Sequence, residues 1–243
     1  MSVGEILGRS WSLYTKFFVR FFVMAIIVFA VVELIYALAL TVARHGGGLA
    51  ALLSLVAVVV AFVGTCLLQG ALVFAVQDVR DGRIDTTVGE LFEKVRPFLG
   101  TLVGGSILAA LGILGGFILF IVPGLILLTW WCLLVPTIVF EGKGATEALG
   151  RSRELVKGHA WTVFGVVIIT SILSGIAASI LGAVFSFLGT FLGHWIGGAI
   201  AQAVIGPFFA VALTLMYFKL VELKEPAPVA PAEPAAPADA PPQ

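Results

Sequence analysis

Glu33 is the one acidic or basic side chain inside an otherwise apolar run, FAVVELIYALAL (29–40). It lies about 18 Å from the nearer polar end of that run at 1.5 Å per helical residue. An ionised carboxylate at such depth costs at least ~2.5 kcal/mol to insert, so it must be protonated, paired or facing a water-filled cavity. Tyr36 falls on its face, and the same depth arithmetic brings Thr129 and Ser174 to its level. Glu33, Tyr36, Thr129 and Ser174 therefore form the candidate intramembrane polar site. Two chemistries fit: a proton or cation relay, and a neutral carboxylic acid hydrogen-bonded between helices as structural glue.

No second chemistry is spelled in the chain. H-E-x-x-H, G-x-S-x-G and G-x-x-x-x-G-K-[ST] are absent, so no zinc-hydrolase, nucleophile-elbow or phosphate-cradling reading is available. His45, His159 and His194 lack companions at ligand spacing, and no metal or other cofactor is expected. Cys66 and Cys132 both lie in apolar runs, where free thiols behave as small hydrophobes. Gln69 and Gln202 are expected to bond between helices. Trp130 and Trp131 are assigned to core packing, with a lipid-tail surface as the sharper alternative. Trp11, Trp161 and Trp195 stand where interface anchors belong.

These residues need elements to hold them, and composition says which. Hydrophobic residues make up 60% of the chain and charged ones 12%, against about 25% charged in a soluble domain. The chain is expected to be a membrane protein, with lipids as its surroundings and no nucleic-acid partner. Crossing the hydrocarbon takes roughly 20 helical residues, and six runs qualify: 21–42, 49–76, 98–122, 125–140, 161–187 and 196–218. They must be helices, because no water satisfies the backbone there and the alternation of a barrel strand is missing. The third and fourth are expected to form a tight hairpin at Pro123-Gly124. The first run exceeds the ~7–15 apolar residues of a secretory leader and is expected to stay attached.

Thirteen of the fourteen Lys and Arg residues fall on one side of these spans. Only Arg44 falls on the other, which predicts both termini and the two long loops in the cytoplasm and the chain in the inner, or cytoplasmic, membrane. On that side a nonapeptide repeats: EILGRSWSL (5–13) returns as EALGRSREL (147–155), and GELFEKVRPF (89–98) is a more diverged copy. Each places an acid four residues before a base, Glu5 with Arg9, Glu90 with Lys94 and Glu147 with Arg151, an order that supports a helix. Ser2 and Thr87 begin capping boxes, and Gly144 holds the matching place. In the first copy Leu7, Trp11, Tyr14 and Phe18 share a face, as in a helix lying along the headgroups.

The expected fold is therefore all-α, a polytopic membrane protein with six transmembrane helices arranged as three repeats of interfacial helix plus hairpin. The membrane domain covers 1–224, with repeats at about 1–76, 84–140 and 144–218. Gly175, Gly182 and Gly189 would form a packing seam on span five; Gly104, Gly105, Gly112, Gly115 and Gly116 would do so on span three. Residues 225–243 are rich in Pro and Ala and are expected to be a disordered cytoplasmic tail.

The run 121–161, IVPGLILLTWWCLLVPTIVFEGKGATEALGRSRELVKGHAW, resembles the bacterial glycerophosphodiester phosphodiesterase membrane-domain family and its multi-span relatives. Pro123, Gly124, Pro136, Glu141, Ala148, Leu149, Arg151, Ser152, Leu155, Gly158 and Trp161 carry the resemblance. Relatives often place an Arg shortly after the Pro-Gly, where this chain has Thr129-Trp130-Trp131. Catalysis in joined proteins belongs to a separate barrel domain, so the resemblance implies association with lipids or envelope proteins rather than hydrolysis. Three functions follow in order: a non-enzymatic organising module that binds membrane lipids and a membrane-protein partner or a second copy of itself; a small transporter or channel with Glu33 in its pathway; and an enzyme. The topology is checked by single cysteines in a cysteine-free background. An impermeant maleimide should label position 44 in intact cells and position 83 only after the membrane is opened.

Overall fold

The computed structural model describes residues 2–43, 48–82, 86–185, 187 and 190–225. The expectations attached to Arg44, His45, Arg83, Gly189, the His194 side chain and the tail from 226 onward lie outside the described residues. Among those described, all regular structure is helical. Six helical stretches are long and apolar enough to cross a membrane: Phe18–Ala39, Ala50–Arg80, Val88–Leu119, Ile121–Glu141, Ala160–Phe185 and Trp195–Lys224. They reproduce the six expected spans to within about four residues except at the start of the third, which reaches back to Val88, and at the end of the sixth, which runs on to Lys224.

Three short helices precede the odd-numbered spans: α1 (Val3–Lys16), α4 (Val88–Val95) and α8 (Ala145–Val156). Their starts form as the caps require. Ser2 Oγ accepts from the Glu5 N–H at 3.2 Å, Thr87 and Glu90 exchange both bonds of a capping box, and Glu147 accepts from the Gly144 N–H at 3.3 Å. The expected pairs along these helices form only once. Glu5 and Arg9 meet at 4.0 Å, but Lys94 turns to Asp78 at 3.8 Å and Arg151 turns to Glu141. Glu90 and Glu147 are spent on their caps, and tertiary carboxylates claim the two cations.

The spans are α2 (Phe18–Ala43), α3 (Gly48–Arg80), α5 (Leu99–Leu119), the pair α6 (Ile121–Trp131) and α7 (Leu134–Glu141), α9 (Ala160–Phe185) and α10 (Thr190–Lys224). Successive spans are neighbours, and α10 closes back on α2, which makes a ring with α3, α7 and α10 also in mutual contact. Each short helix packs on a span: α4 on α3 just before it, α8 on α5, α6 and α7 of the hairpin before it, and α1 on α10, the last span. Of the aromatic face expected on α1, Tyr14 turns into the protein. Ile6, Ser10 and Tyr14 are its buried residues. Tyr14 donates to the Val204 carbonyl, beside the backbone that Pro207 disrupts, while Trp11 on the next face stays exposed.

At 33 and 35 residues, α3 and α10 run to about 50 Å, beyond the ~30 Å hydrocarbon layer. The excess is used in packing. Leu68, Leu72, Val76, Val211, Met216 and Leu220 are buried, whereas Leu52 to Val60, Leu111 to Val122 and Ile172 to Val184 carry most of the large apolar side chains that face outward. The protein thus has a packed end around the short helices and a lipid-facing end.

The fourth span departs most from expectation. Pro123 and Gly124 do not form the turn; they sit inside the first turns of α6, and the link from α5 is the single extended residue Phe120. The hairpin closes there because glycine meets glycine: a Cβ on Gly116 would lie 2.9 Å from the Gly124 backbone nitrogen. Gly105 and Gly112 are likewise covered, by Leu134 with Ile138 and by Trp131, but Gly104, Gly115, Gly175 and Gly182 face open space. Among the described residues the expected seam on span five therefore has no neighbour at Gly175 and Gly182, since that stretch of α9 is exposed. Gly116→Ala should cost about 1–3 kcal/mol by overpacking, and Gly115→Ala should be neutral or slightly stabilising. Thermal unfolding in detergent, followed by size-exclusion chromatography, checks the contrast.

Candidate functional site

Two of the residues that carry the resemblance, Pro136 and Ser152, meet at the break between α6 and α7. In a continuous helix the Leu133 N–H would bond the Thr129 carbonyl. Here that carbonyl accepts from Cys132 Sγ at 3.2 Å, and Pro136, lacking an N–H, leaves the Cys132 carbonyl without its usual donor. Ser152 of α8 bridges the gap. Its hydroxyl accepts from the Leu133 N–H at 3.2 Å and donates to the Trp130 carbonyl at 2.6 Å, and the residue is wholly buried.

One step along α8, Arg151 fastens the other end of α7. Gly142 ends α7 in the left-handed region at φ 63°, and the tight turn to Gly144 sends α8 back past it. Arg151 Nε then lies 3.0 Å from both oxygens of Glu141. Lys143 approaches the same carboxylate at 3.4 Å, and Tyr217 of α10 donates to it at 3.0 Å. Arg151 also reaches Glu154 at 3.8 Å and bonds Glu225. Burial pulls the Arg151 guanidinium toward neutrality, but the bonds to Glu225 and Glu141 outweigh it and raise its pKa above the ordinary arginine value. The cluster ties α7, α8 and the end of α10 together. Gly158, at φ 92°, turns the chain into α9, where Trp161 is 85% exposed.

The four residues of the intramembrane candidate are set against different neighbours. The Glu33 carboxylate, half-buried, lies against the backbone of α10, where a Cβ on Gly198 would come within 2.9 Å of it. Tyr36 is exposed. Thr129 donates to its own Leu125 carbonyl at 2.8 Å on α6, whose neighbours are α5, α8 and α9, whereas α2 runs against α10 and α3. Ser174 is half-buried on α9. Depth alone put these residues together; direction around the helix separates Glu33 from Thr129.

Three features escaped the sequence. Asp78, 7% exposed, faces Arg20 at 3.7 Å and Lys94 at 3.8 Å, and its place just before the Arg80 end of span two was the only signal. Trp195 donates its indole N–H to the Ala30 carbonyl at 2.9 Å and so joins α10 to α2. A cavity of about 320 Å³ opens between α3, α5, α6–α7 and α10, lined among others by Thr65, Cys66, Gln69, Ser106 and Trp131. Gln69 and Gln202 make none of the interhelical bonds expected of them: Gln69 lines this cavity and Gln202 is exposed. Among the described residues no three His, Cys, Asp or Glu side chains are grouped to hold a metal ion.

Six apolar helices of spanning length define a multi-span membrane protein. Residues 91–230, more than half of the chain, match the family described as a domain of unknown function, DUF7847, and the chain belongs to that family. No curated protein and no solved structure matches it. Ser152→Ala should cost about 1–3 kcal/mol, because it leaves a buried N–H and a buried carbonyl unsatisfied. Its counterpart in the echo, Ser10, bonds only the Ile6 carbonyl of its own helix, so Ser10→Ala should cost less than about 1 kcal/mol. Equal losses in the two unfolding curves would show that the Ser152 hydroxyl bridges nothing.

Proposed function

We propose that this protein is a non-enzymatic integral membrane protein of the cytoplasmic membrane that organises lipid or envelope components. The observation that carries the reading is where the motif residues spend their contacts. Glu141 and Arg151 hold each other and α10, Ser152 repairs a broken helix, and Pro123 and Gly124 shape a hairpin. Side chains so engaged brace a scaffold. The resemblance of 121–161 to the glycerophosphodiester phosphodiesterase membrane domain, which lies inside the matched stretch, supports association with lipids.

Two parts of the architecture belong to the same proposal. The chain is read as three duplicated units, supported by the short helix at the head of each hairpin and by the capping contacts that start all three. The short helices are read as cytoplasmic, supported by the thirteen-to-one division of Lys and Arg. Membrane lipids are the expected partners, with a membrane protein or a second copy of the chain beside them.

A small transporter or channel is the second reading, favoured by the cavity that Gln69 lines; Glu33 is not among its walls, so a relay would have to reach it along α10. Complementation of a deletion strain, scored as survival under detergent and osmotic stress, separates the two. Under the scaffold reading Glu33→Gln restores survival fully, while Glu141→Gln lowers the amount of folded protein and restores less. Normal accumulation of Glu33→Gln without rescue would favour transport.

A further inference from the structure

Between α6 and the start of α9 runs an apolar groove of about 340 Å³, walled by Leu125, Ile126, Trp130, Trp161 and Phe164, with Val122 about two turns along α6 from Trp130. Thr129 is the only hydroxyl in its lining, and that hydroxyl is already committed to the Leu125 carbonyl. A slot whose walls are almost wholly apolar takes hydrocarbon and disfavours a polar solute. Its rim has the opposite character. The Arg153 guanidinium lies 4.3 Å from the centre of the Trp130 ring, and Lys157 is exposed one turn further on. Neither has a carboxylate partner among the described residues.

The acids of the same helix are occupied elsewhere. Glu154 pairs with Arg151 at 3.8 Å, and Glu147 caps Gly144. His159, between Lys157 and the groove residue Ala160, keeps a buried Nδ1 with no hydrogen-bond partner. One uncompensated cation stacked on the wall of a hydrocarbon slot, with a second four residues along the chain and three before the groove residue Ala160, matches a molecule with a phosphate at one end and an acyl chain at the other.

We propose that this groove binds an anionic phospholipid, with the phosphate held by Arg153 and Lys157 and one acyl chain lying along α6 between Trp130 and Phe164. The headgroup belongs to the leaflet in which α8 lies. Arg153 keeps its place by stacking on Trp130, so the residue that walls the slot also positions the cation that selects the headgroup. This assignment deepens the reading of the protein as a lipid-associated scaffold and rests on it.

The test uses the full chain reconstituted in phosphatidylcholine bilayers, into which a small fraction of chain-brominated phosphatidylglycerol or chain-brominated phosphatidylcholine is mixed. Bromine at contact quenches tryptophan fluorescence. Brominated phosphatidylglycerol should be preferred by roughly fivefold per cation, with the preference shrinking as salt is raised. The double variant Arg153→Gln, Lys157→Gln should quench equally with both lipids, and the charge-retaining Arg153→Lys, Lys157→Arg should keep the preference. Replacing Trp130 and Trp161 by Phe should remove the selective part of the signal. Glycerol phosphate in solution should not displace the lipid.

Equal quenching by the two lipids in the unaltered protein overturns the proposal. So does a preference that survives the Gln variant or the loss of both tryptophans, and displacement by glycerol phosphate would assign the cations to a soluble ligand. Absent preference with intact complementation counts against the groove alone. Intact preference with no role in survival counts against the scaffold reading alone.

Discussion

A peptide group in hydrocarbon has no water to bond, so each one must be satisfied within the protein. The fourth span violates its own helix at Cys132 and Leu133, and the surroundings are arranged around that defect. The Ser152 hydroxyl must reach the break, which holds α8 against α6 and α7 and buries Ala148, Leu155 and Val156. With α8 fixed there, Arg151 can only point at Glu141 and Arg153 at Trp130. One unsatisfied pair of backbone groups thus determines where a buried serine, an ion cluster and an exposed cation must stand.

The same pressure explains why burial is uneven. Lipid tails are as apolar as leucine and give helices little reason to associate, so close packing between the spans relies on glycine, as at Gly105, Gly112 and Gly116. Where α3 and α10 outrun the hydrocarbon, the ordinary hydrophobic effect returns. There α1, α4, α7 and α8 wrap the two long helices, and the charges of buried Asp78 and half-buried Glu141 find their cations.

Much of this was legible in the chain. The spans could be read because hydropathy is a property of each residue alone, and the starts of α4 and α8 because a cap acts within four residues. Pairings that depend on a third element could not. Glu147 and Arg151 satisfy every local rule for a helical pair, yet Glu141 arrives from another helix and wins. The spacing of Gly175 and Gly182 is as regular as that of Gly105 and Gly112, but period does not say whether a face has a neighbour. Depth arithmetic set Glu33 level with Thr129 and was silent about azimuth. Pro136 announces a missing bond at Cys132, but the serine that bridges the neighbouring Leu133 N–H and Trp130 carbonyl lies on another helix, and no local rule points to it.

The closure of α10 on α2 sets the order of events during biogenesis. As the chain leaves the ribosome, helices emerge one at a time, and the flank of α2 that will meet Phe29's partner Gly206 and the Trp195 indole has nothing to rest on until the final span enters the bilayer. The first hairpin must therefore wait, shielded by lipid or by the insertion machinery, through the synthesis of the four crossings that follow it.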